Sequence, residues 1–191
     1  MLICDEHKFV FLRNPKTASR SLTKILNQNF NTREIGPYHG QNIPEKYLDY
    51  YIFFTVRNPY TRMISTWQHI CHQRNWSPEE FTFDKTLKIQ SIITRHLSEE
   101  KEPVESWWLQ SSVMDKFEAN VITYENIEND FNNLDFISEK IVLPEIGKQN
   151  YGNWKKYYTP EIENKIYKYF RKDFDRFDYK RELNINFKVY L

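Results

Sequence analysis

Cysteine and long apolar runs are scarce in this chain of 191 residues, and each shortage excludes a class of protein. The two cysteines, Cys4 and Cys71, are too few for a disulfide framework, and they fit a reducing compartment. No apolar stretch approaches the roughly 20 residues that a membrane-spanning helix needs. Polar residues 5–8, "DEHK", interrupt any apolar signal sequence. If the chain is complete, we therefore expect a cytoplasmic protein with no membrane span.

Glycine is missing where a P-loop NTPase would need it. The chain has only four glycines, and none lies in residues 9–21, "FVFLRNPKTASRS". The phosphate-binding pattern G-x-x-x-x-G-K-[ST] requires two glycines before its lysine. A P-loop-type kinase is therefore the least favoured of the functions considered below.

Acidic residues are missing from two similar stretches, residues 7–24 and 51–74. The cations there are Lys8, Arg13, Lys16, Arg20, Lys24, Arg57, Arg62 and Arg74. The net charge of the whole chain is only +1, which argues against a general binder of polyanions such as nucleic acid. The unopposed charge in the two stretches favours local anion sites instead.

Each stretch is predicted to form a strand, a polar loop and a helix. Both strands are short apolar runs that end at Arg-Asn-Pro, and apolar residues at helical spacing follow. A third strand and further helices alternate along the rest of the chain. The predicted strands are residues 8–12, 51–56 and 120–124, and the predicted helices begin near residues 19, 59, 127 and 160. This order predicts an α/β fold: a single domain over residues 1–191 with a central parallel β-sheet flanked by helices.

The helix that follows a parallel strand offers an anion site at its N-terminus, because its free N–H groups and its dipole favour negative charge. Lys16 and Arg20 add full charges to the first such site, and Arg57 stands at the end of the second strand. Two strand-end sites in one domain predict a single ligand with two separated phosphates.

The two stretches resemble the cofactor motifs of sulfotransferases that use 3′-phosphoadenosine 5′-phosphosulfate (PAPS). "PKTASRSL" is similar to their 5′-phosphosulfate loop, and "FFTVRNPYTRMIS" is similar to their 3′-phosphate motif. "ITYENIENDF" and "YYTPEIENKIYKYFRKDFDRFDY" resemble later segments of bacterial and carbohydrate sulfotransferases. Many members have Gly-Thr or Ser-Thr where this chain has Ser19-Arg20, although the heparan sulfate 3-O-sulfotransferases carry Thr-Arg. The resemblance implies a P-loop-like sulfotransferase fold.

The resemblance also implies a role for each motif residue. Lys16 would contact the sulfate and the bridging oxygen of PAPS, and Arg57 with Ser65 would hold the 3′-phosphate. Lys148 would contact a phosphate from a loop that closes over the nucleotide. The 5′-phosphate would be held by Thr17, Ala18, Ser19, Arg20 and Ser21.

A general base for the acceptor hydroxyl is sought between the two motifs. His39, in "PYHGQN", lies there, and a neutral imidazole suits this task near pH 7. The 2-O-sulfotransferases have Tyr-His-Gly-His in this interval, and Gln41 replaces the second histidine. The alternative is that His39 binds the acceptor or only packs in the loop.

No metal site is expected, because Cys71 falls on a different helix face from His69 and His72 and no second ligand cluster completes a site. Trp107 and Trp108 could line the acceptor site or pack in the core.

The sequence thus predicts transfer of a sulfuryl group from PAPS to a hydroxyl acceptor, with 3′,5′-ADP as the other product. A carbohydrate is the preferred acceptor, and a lipid-linked glycan, a small metabolite and a peptide tyrosine stay open as alternatives. The competing hypothesis is a nucleotide-binding module without catalysis, which would need neither Lys16 nor a base.

Overall fold

The structure is a computed structural model, and it describes residues 1–85, 109–144 and 152–181. The chain divides into two compact units, one of residues 1–57 and 112–148 and the other of residues 58–111 and 149–191. The prediction of one sulfotransferase domain over residues 1–191 stays a prediction.

The first unit contains a five-stranded sheet in the order β3-β1-β2-β4-β5. Its strands are β1 (Leu2–Cys4), β2 (Phe9–Leu12), β3 (Thr32–Glu34), β4 (Tyr51–Val56) and β5 (Asn120–Thr123). Strands β2, β4 and β5 pair in parallel, but β1 pairs antiparallel with both β2 and β3, so the predicted central parallel sheet is not confirmed. The sheet is therefore mixed, because a short hairpin and an edge strand extend the parallel part.

Helices follow the strands in the order that the sequence predicts. Those of the described residues are α1 (Ser19–Asn29), α2 (Pro59–Arg74), α3 (Ile127–Asn132), α4 (Pro160–Tyr169) and α5 (Arg171–Arg176). Short 3₁₀ turns lie at Glu45–Tyr47, Gln110–Val113, Tyr124–Asn126 and Trp154–Tyr157.

Both faces of the central strands are buried, which explains why β2 and β4 are continuous apolar runs. Alternate strand residues point to opposite faces. On one face Phe9, Phe11 and Phe53 form a core with Leu22 and Leu26 of α1. Residue Phe11 pairs with Phe53 in the register of β2 and β4, and their rings stack at 5.0 Å. This packing fixes where β2 and β4 end, and therefore where the polar residues after them begin.

The second unit has its own aromatic core, built from α2, α4 and α5. Helix α2 begins with Asn58 as its N-cap, whose side chain accepts a hydrogen bond from the Tyr60 N–H at 2.9 Å. Thr159 caps α4 in the same way, through the Ile162 N–H at 3.2 Å. In both helices proline occupies the first helical position, where its missing N–H costs nothing.

Two buried carboxylates hold the second unit together. Glu163 accepts a hydrogen bond from the Tyr60 hydroxyl, and it pairs with Arg181 at 2.6 and 2.8 Å. Asp173 is fully buried and accepts bonds from the N–H groups of Gln110 and Ser111 at 2.9 and 2.8 Å. Both of these carboxylates thus act as structural acceptors.

Candidate functional site

The loop between β2 and α1, residues 13–18, is fastened to the neighbouring strand β4. The side-chain amide of Asn14 donates to the carbonyl of Thr55 at 2.9 Å. The Thr17 hydroxyl bonds the Asn14 carbonyl at 2.9 Å and the Thr55 hydroxyl at 2.5 Å. Because Thr17 is fully buried and its hydroxyl donates to Asn14, it contributes its backbone N–H, and not its hydroxyl, to any anion site.

The same loop has an unusual backbone. Lys16 and Ala18 both adopt the left-handed conformation, with φ of 66° and 65°. Non-glycine residues adopt it at a cost of about 1 kcal/mol or more, and such strain concentrates at functional sites. Alternating left- and right-handed residues turn successive N–H groups toward one concave side, which is a common way to bind an anion.

Helix α1 starts directly after this loop without a side-chain cap and without an acidic residue in its first turn. Ser19 and Ser21 are nearly buried, at 5% and 6% exposure, whereas Arg20 is exposed. Nothing negative in the first turn competes for the helix dipole, so this N-terminus suits an anionic ligand.

Lys16 carries a charge that its surroundings disfavour. Burial, and then the nearby charges of Arg20 and Arg57, together lower the pKa of Lys16 to about 8. Three cations are thus gathered around one loop, with no acidic residue among the causes of the shift. An anion bound there would relieve their repulsion, and it would favour the protonated form of Lys16.

Arg57 lies beside the same loop. Its guanidinium donates to the carbonyl of Lys16 at 3.4 Å and stands 4.0 Å from the centre of the Tyr124 ring. The turn that carries Tyr124 is held by Asp130, which accepts bonds from the N–H and hydroxyl of Thr123 at 2.8 and 2.6 Å. The structure therefore brings Arg57 and Lys16 together, and it adds Tyr124 to the site.

His39 is also brought to the loop. Its Nδ1 lies 2.7 Å from the carbonyl of Arg13, the last residue before Asn14. Gln41 follows it: the Gln41 amide lies 3.5 Å from the Asn14 side-chain oxygen, and the Ser112 hydroxyl lies 3.5 Å from the Gln41 side-chain oxygen. His39 follows Lys16 by 23 residues in the sequence, yet it contacts Arg13, which lies only three residues before Lys16.

The sequence analysis assigned no role at this site to four supporting residues. Asn14, Thr55 and Gln41 hold the two loops in place, and Tyr124 packs on Arg57. The Arg-Asn-Pro repeat drew attention to residue 14, but only the pairing of β2 with β4 shows that Asn14 bonds the neighbouring strand.

The remaining predicted residues belong to the second unit or lie outside the described residues. Ser65 and Arg62 belong to helix α2 of the second unit, where both are buried, at 7% and 1% exposure. Lys148, Trp107 and Trp108 lie outside the described residues.

Among the described residues, no cluster of three or more potential metal ligands occurs. Cys71 is buried, which raises the pKa of its thiol, and His72 is exposed on the same helix. These positions agree with the separation of the two side chains that helical spacing predicts.

A comparison with protein-family models decides the family. The model described as "Sulfotransferase family" matches residues 1–180. The chain belongs to the sulfotransferase family. Comparison with curated proteins and with solved structures gave no match.

The match to the sulfotransferase family includes every residue of the site described above, because it spans both strand–loop–helix stretches. It supports sulfuryl transfer in general, with a hydroxyl-bearing acceptor whose identity it leaves open. Within the parts of this sulfotransferase that the structure describes, no helix has the length and apolar character needed to span a bilayer.

Proposed function

We propose that the chain transfers a sulfuryl group from PAPS to a hydroxyl group, with the β2–α1 loop as a P-loop-like site for the 5′-phosphosulfate. The observation that carries this proposal is the group of three cations, Lys16, Arg20 and Arg57, around a left-handed loop at the start of a helix. The fold and family support a ligand with a strongly anionic group at this point.

The loop's own groups suit the 5′-phosphosulfate. Backbone N–H groups at residues 17–20 would donate to the phosphate, with help from the Ser19 and Ser21 hydroxyls and the charge of Arg20; the Ser21 N–H already donates to the Ala18 carbonyl at 2.9 Å. Lys16 would stand at the bridging oxygen, where negative charge builds as the S–O bond to the 5′-phosphate breaks. A cation there stabilises the transition state more than the ground state, so it raises the rate and not only the affinity.

Arg57 would bind the 3′-phosphate together with Ser65. Its planar guanidinium suits that contact, because it can donate two parallel hydrogen bonds to a phosphate. Its bond to the Lys16 carbonyl and its packing on Tyr124 support a guanidinium held ready before the ligand arrives. Lys148 is a further proposed phosphate contact.

His39 would act as general base. A backbone carbonyl only accepts hydrogen bonds, so the 2.7 Å contact with Arg13 requires the proton on Nδ1 of the neutral ring. Nε2 is then the nitrogen that accepts the acceptor's hydroxyl proton while the new bond forms between sulfur and the hydroxyl oxygen. The 5′-phosphate leaves as 3′,5′-ADP, so the charges and protons balance without a covalent enzyme intermediate.

A glycan is the proposed acceptor, and a small hydroxylated metabolite is the alternative. Both cysteines are free and buried, which supports the proposed location in the reducing cytoplasm. A nucleotide-binding module without catalysis would not need Lys16 at the loop or His39 beside it, so the presence of both favours the enzyme.

The test compares nucleotides by calorimetry. The protein should bind 3′,5′-ADP more tightly than 5′-AMP, because only the former offers a second phosphate to Arg57. Arg57→Ala should erase most of this preference, a loss of about 10- to 100-fold for a charge-assisted contact. Arg33→Ala is the matched control, since Arg33 forms an exposed ion pair with Asp5 elsewhere in the same unit. Equal affinity of the unmodified protein for the two nucleotides would refute the PAPS assignment.

A further inference from the structure

Arg13 takes no part in the chemistry proposed above, yet its side chain is almost completely buried, at 1% exposure. Its guanidinium donates to the carbonyl of Tyr38 at 2.8 Å and to the carboxylate of Glu34 at 2.7 Å. It also lies 3.7 Å from the centre of the Tyr38 ring. The Arg13 side chain thus contacts both the main-chain carbonyl and the ring of Tyr38, the residue directly before His39.

The main chain of Arg13 holds the next residue. Its carbonyl accepts from His39 Nδ1 at 2.7 Å, as described above. The Tyr38 ring, packed on the guanidinium, also meets the His39 ring edge-on at 4.8 Å. The imidazole is therefore confined on two sides by groups that Arg13 positions.

We propose that Arg13 is a positioning residue that fixes the orientation and the tautomer of His39 and so presents Nε2 as its basic nitrogen. The catalytic meaning of this inference rests on the proposed function, whereas the tautomer does not. In water a free imidazole favours the opposite tautomer, with the proton on Nε2. The Arg13 clamp, meaning its contacts with Glu34, Tyr38 and His39, reverses that preference.

Glu34 and Tyr38 have different roles in the Arg13 clamp. The Glu34 carboxylate lies on strand β3 and neutralises the buried guanidinium, and the contact lowers the pKa of Glu34. The Nε–H of the same guanidinium donates to the Tyr38 carbonyl, and its third nitrogen donates to the carbonyl of Met1 at 3.4 Å. Loss of the guanidinium would free the loop at Tyr38 and remove its support for the contact between His39 Nδ1 and the Arg13 carbonyl.

The tautomer can be read directly by nitrogen NMR of protein labelled with ¹⁵N-histidine. The spectra are recorded about two pH units above the reference histidine pKa of about 6.5, where imidazoles are neutral. The signals of the five histidines are separated, and that of His39 is assigned by its loss in His39→Gln. In the unmodified protein we expect a protonated Nδ1 and an unprotonated Nε2 at His39. In Arg13→Met we expect these shifts to move toward the average of a free imidazole.

Two further variants keep the test decisive if Arg13→Met does not fold. Arg13→Lys keeps the charge but cannot bond Glu34 and Tyr38 together with one planar fork, so the shift should be intermediate. Glu34→Gln, at a largely exposed side chain, should shift the tautomer in the same direction. Arg33→Met is the control: this arginine of the same unit bonds Asp5 and Tyr47, and its loss should leave His39 unchanged.

Failure of this inference is distinguishable from failure of the proposed function. A His39 tautomer that is unchanged in folded Arg13 variants, or that carries its proton on Nε2 in the unmodified protein, overturns the inference. Calorimetry with 3′,5′-ADP on the same samples tests the cofactor assignment separately, and Arg13→Met should bind it with nearly unchanged affinity. With an accepted hydroxyl substrate, kcat of this variant should fall by about 10- to 100-fold while KM for PAPS changes little.

Discussion

The chain uses the sequence Arg-Asn-Pro-x-Thr twice, at residues 13–17 and 57–61, and the two copies do different work. In both, the threonine hydroxyl bonds the asparagine carbonyl three residues earlier, at 2.9 Å in the first and 3.2 Å in the second. The threonine hydroxyl therefore closes the turn in the same way in both copies. The asparagine side chains differ: Asn14 bonds strand β4, whereas Asn58 caps helix α2.

The fourth position separates the two copies most clearly. Lys16 has a left-handed backbone, and helix α1 starts only at Ser19. Tyr60 is already the second residue of helix α2, and it is fully buried with its hydroxyl on Glu163. Burial, and then the contact with Glu163, raise the pKa of Tyr60 well above its usual value. A strained cation in the first copy fits the proposed anion site, whereas the packed phenol of the second copy belongs to a helix start.

The arginines also differ in what satisfies them. Arg13 has the carboxylate of Glu34, supplied by the edge strand β3. Arg57 packs on the Tyr124 ring and bonds the carbonyl of Lys16. Arg13 is therefore tied to the edge strand β3, whereas Arg57 lies beside the residue that we propose to contact the sulfate.

The largest expected effect separates the two fourth positions. Lys16→Ala should lower turnover by about 10²- to 10³-fold, because one transition-state charge contact is lost. Binding of 3′,5′-ADP should persist in weaker form through the second phosphate site. Turnover is measured with labelled PAPS and an acceptor found by mass spectrometric screening.

Tyr60→Phe is the counterpart of this substitution in the second copy. It should lower the free energy of unfolding by about 1 kcal/mol, the usual loss for a hydrogen bond, and it should leave nucleotide affinity unchanged. Full turnover in Lys16→Ala would remove the distinction between the copies.

The second largest effect concerns His39, which the carbonyl of Arg13 holds in the first copy. His39→Gln keeps much of the side chain's shape but not its basicity, so turnover should fall by roughly 10²-fold with little change in nucleotide affinity. In the unmodified protein, activity should fall at low pH with an apparent pKa within about two units of 6.5. Near-normal turnover of the glutamine variant would mean that His39 only positions the acceptor.

A smaller effect follows from the lowered pKa of Lys16, about 8. The phosphates favour the charged ammonium, which is lost as the pH rises through about 8, so affinity for 3′,5′-ADP should fall. The expected fall between pH 7 and 9 is about 10-fold, because one proton is linked to binding. The ligand's own phosphates are almost fully ionised above about pH 7, so they do not cause this change. Lys16→Arg stays charged and should give a flat profile by calorimetry; an equally steep one would locate the proton elsewhere.

The smallest effect separates the two asparagines. Asn58→Ala should lower the free energy of unfolding by about 1 kcal/mol, as loss of an N-cap usually does, without changing nucleotide affinity. Asn14→Ala should weaken 3′,5′-ADP binding several-fold as well, since Asn14 fastens the candidate anion loop to β4. Thermal unfolding and calorimetry on both variants measure the two quantities, and equal nucleotide affinities would contradict the assigned role of Asn14.

Sequence patterns predicted the parallel part of the sheet well, because β2 and β4 are buried on both faces and end at proline. Strand β3, with the sequence Thr-Arg-Glu, was not predicted, since an exposed edge strand needs no apolar pattern. Strand β1 was missed for another reason: three residues are too short for a periodic signal, and only pairing with β2 reveals them.

The candidate site was predictable where charge and motif agree, and not where long-range pairing decides. Lys16 and Arg57 stand at strand ends in the sequence, and the structure brings them together. The inward turn of the Thr17 hydroxyl depends on Thr55, 38 residues away, and no local pattern reports it. The different partners of Arg13 and Arg57 likewise depend on strands that lie far apart in the chain.

The bonds from Gln110 and Ser111 to Asp173 have a consequence for the order in which a newly made chain can fold. They join residues 63 and 62 positions apart, and Tyr60 reaches Glu163 across 103 positions. During synthesis the sheet of the first unit can close once Thr123 has left the ribosome. The second unit must wait until Asp173 and then Arg181 emerge, so its aromatic residues on α2 stay uncovered in the meantime. We therefore expect the candidate anion loop to be formed on the nascent chain before the helical unit is complete.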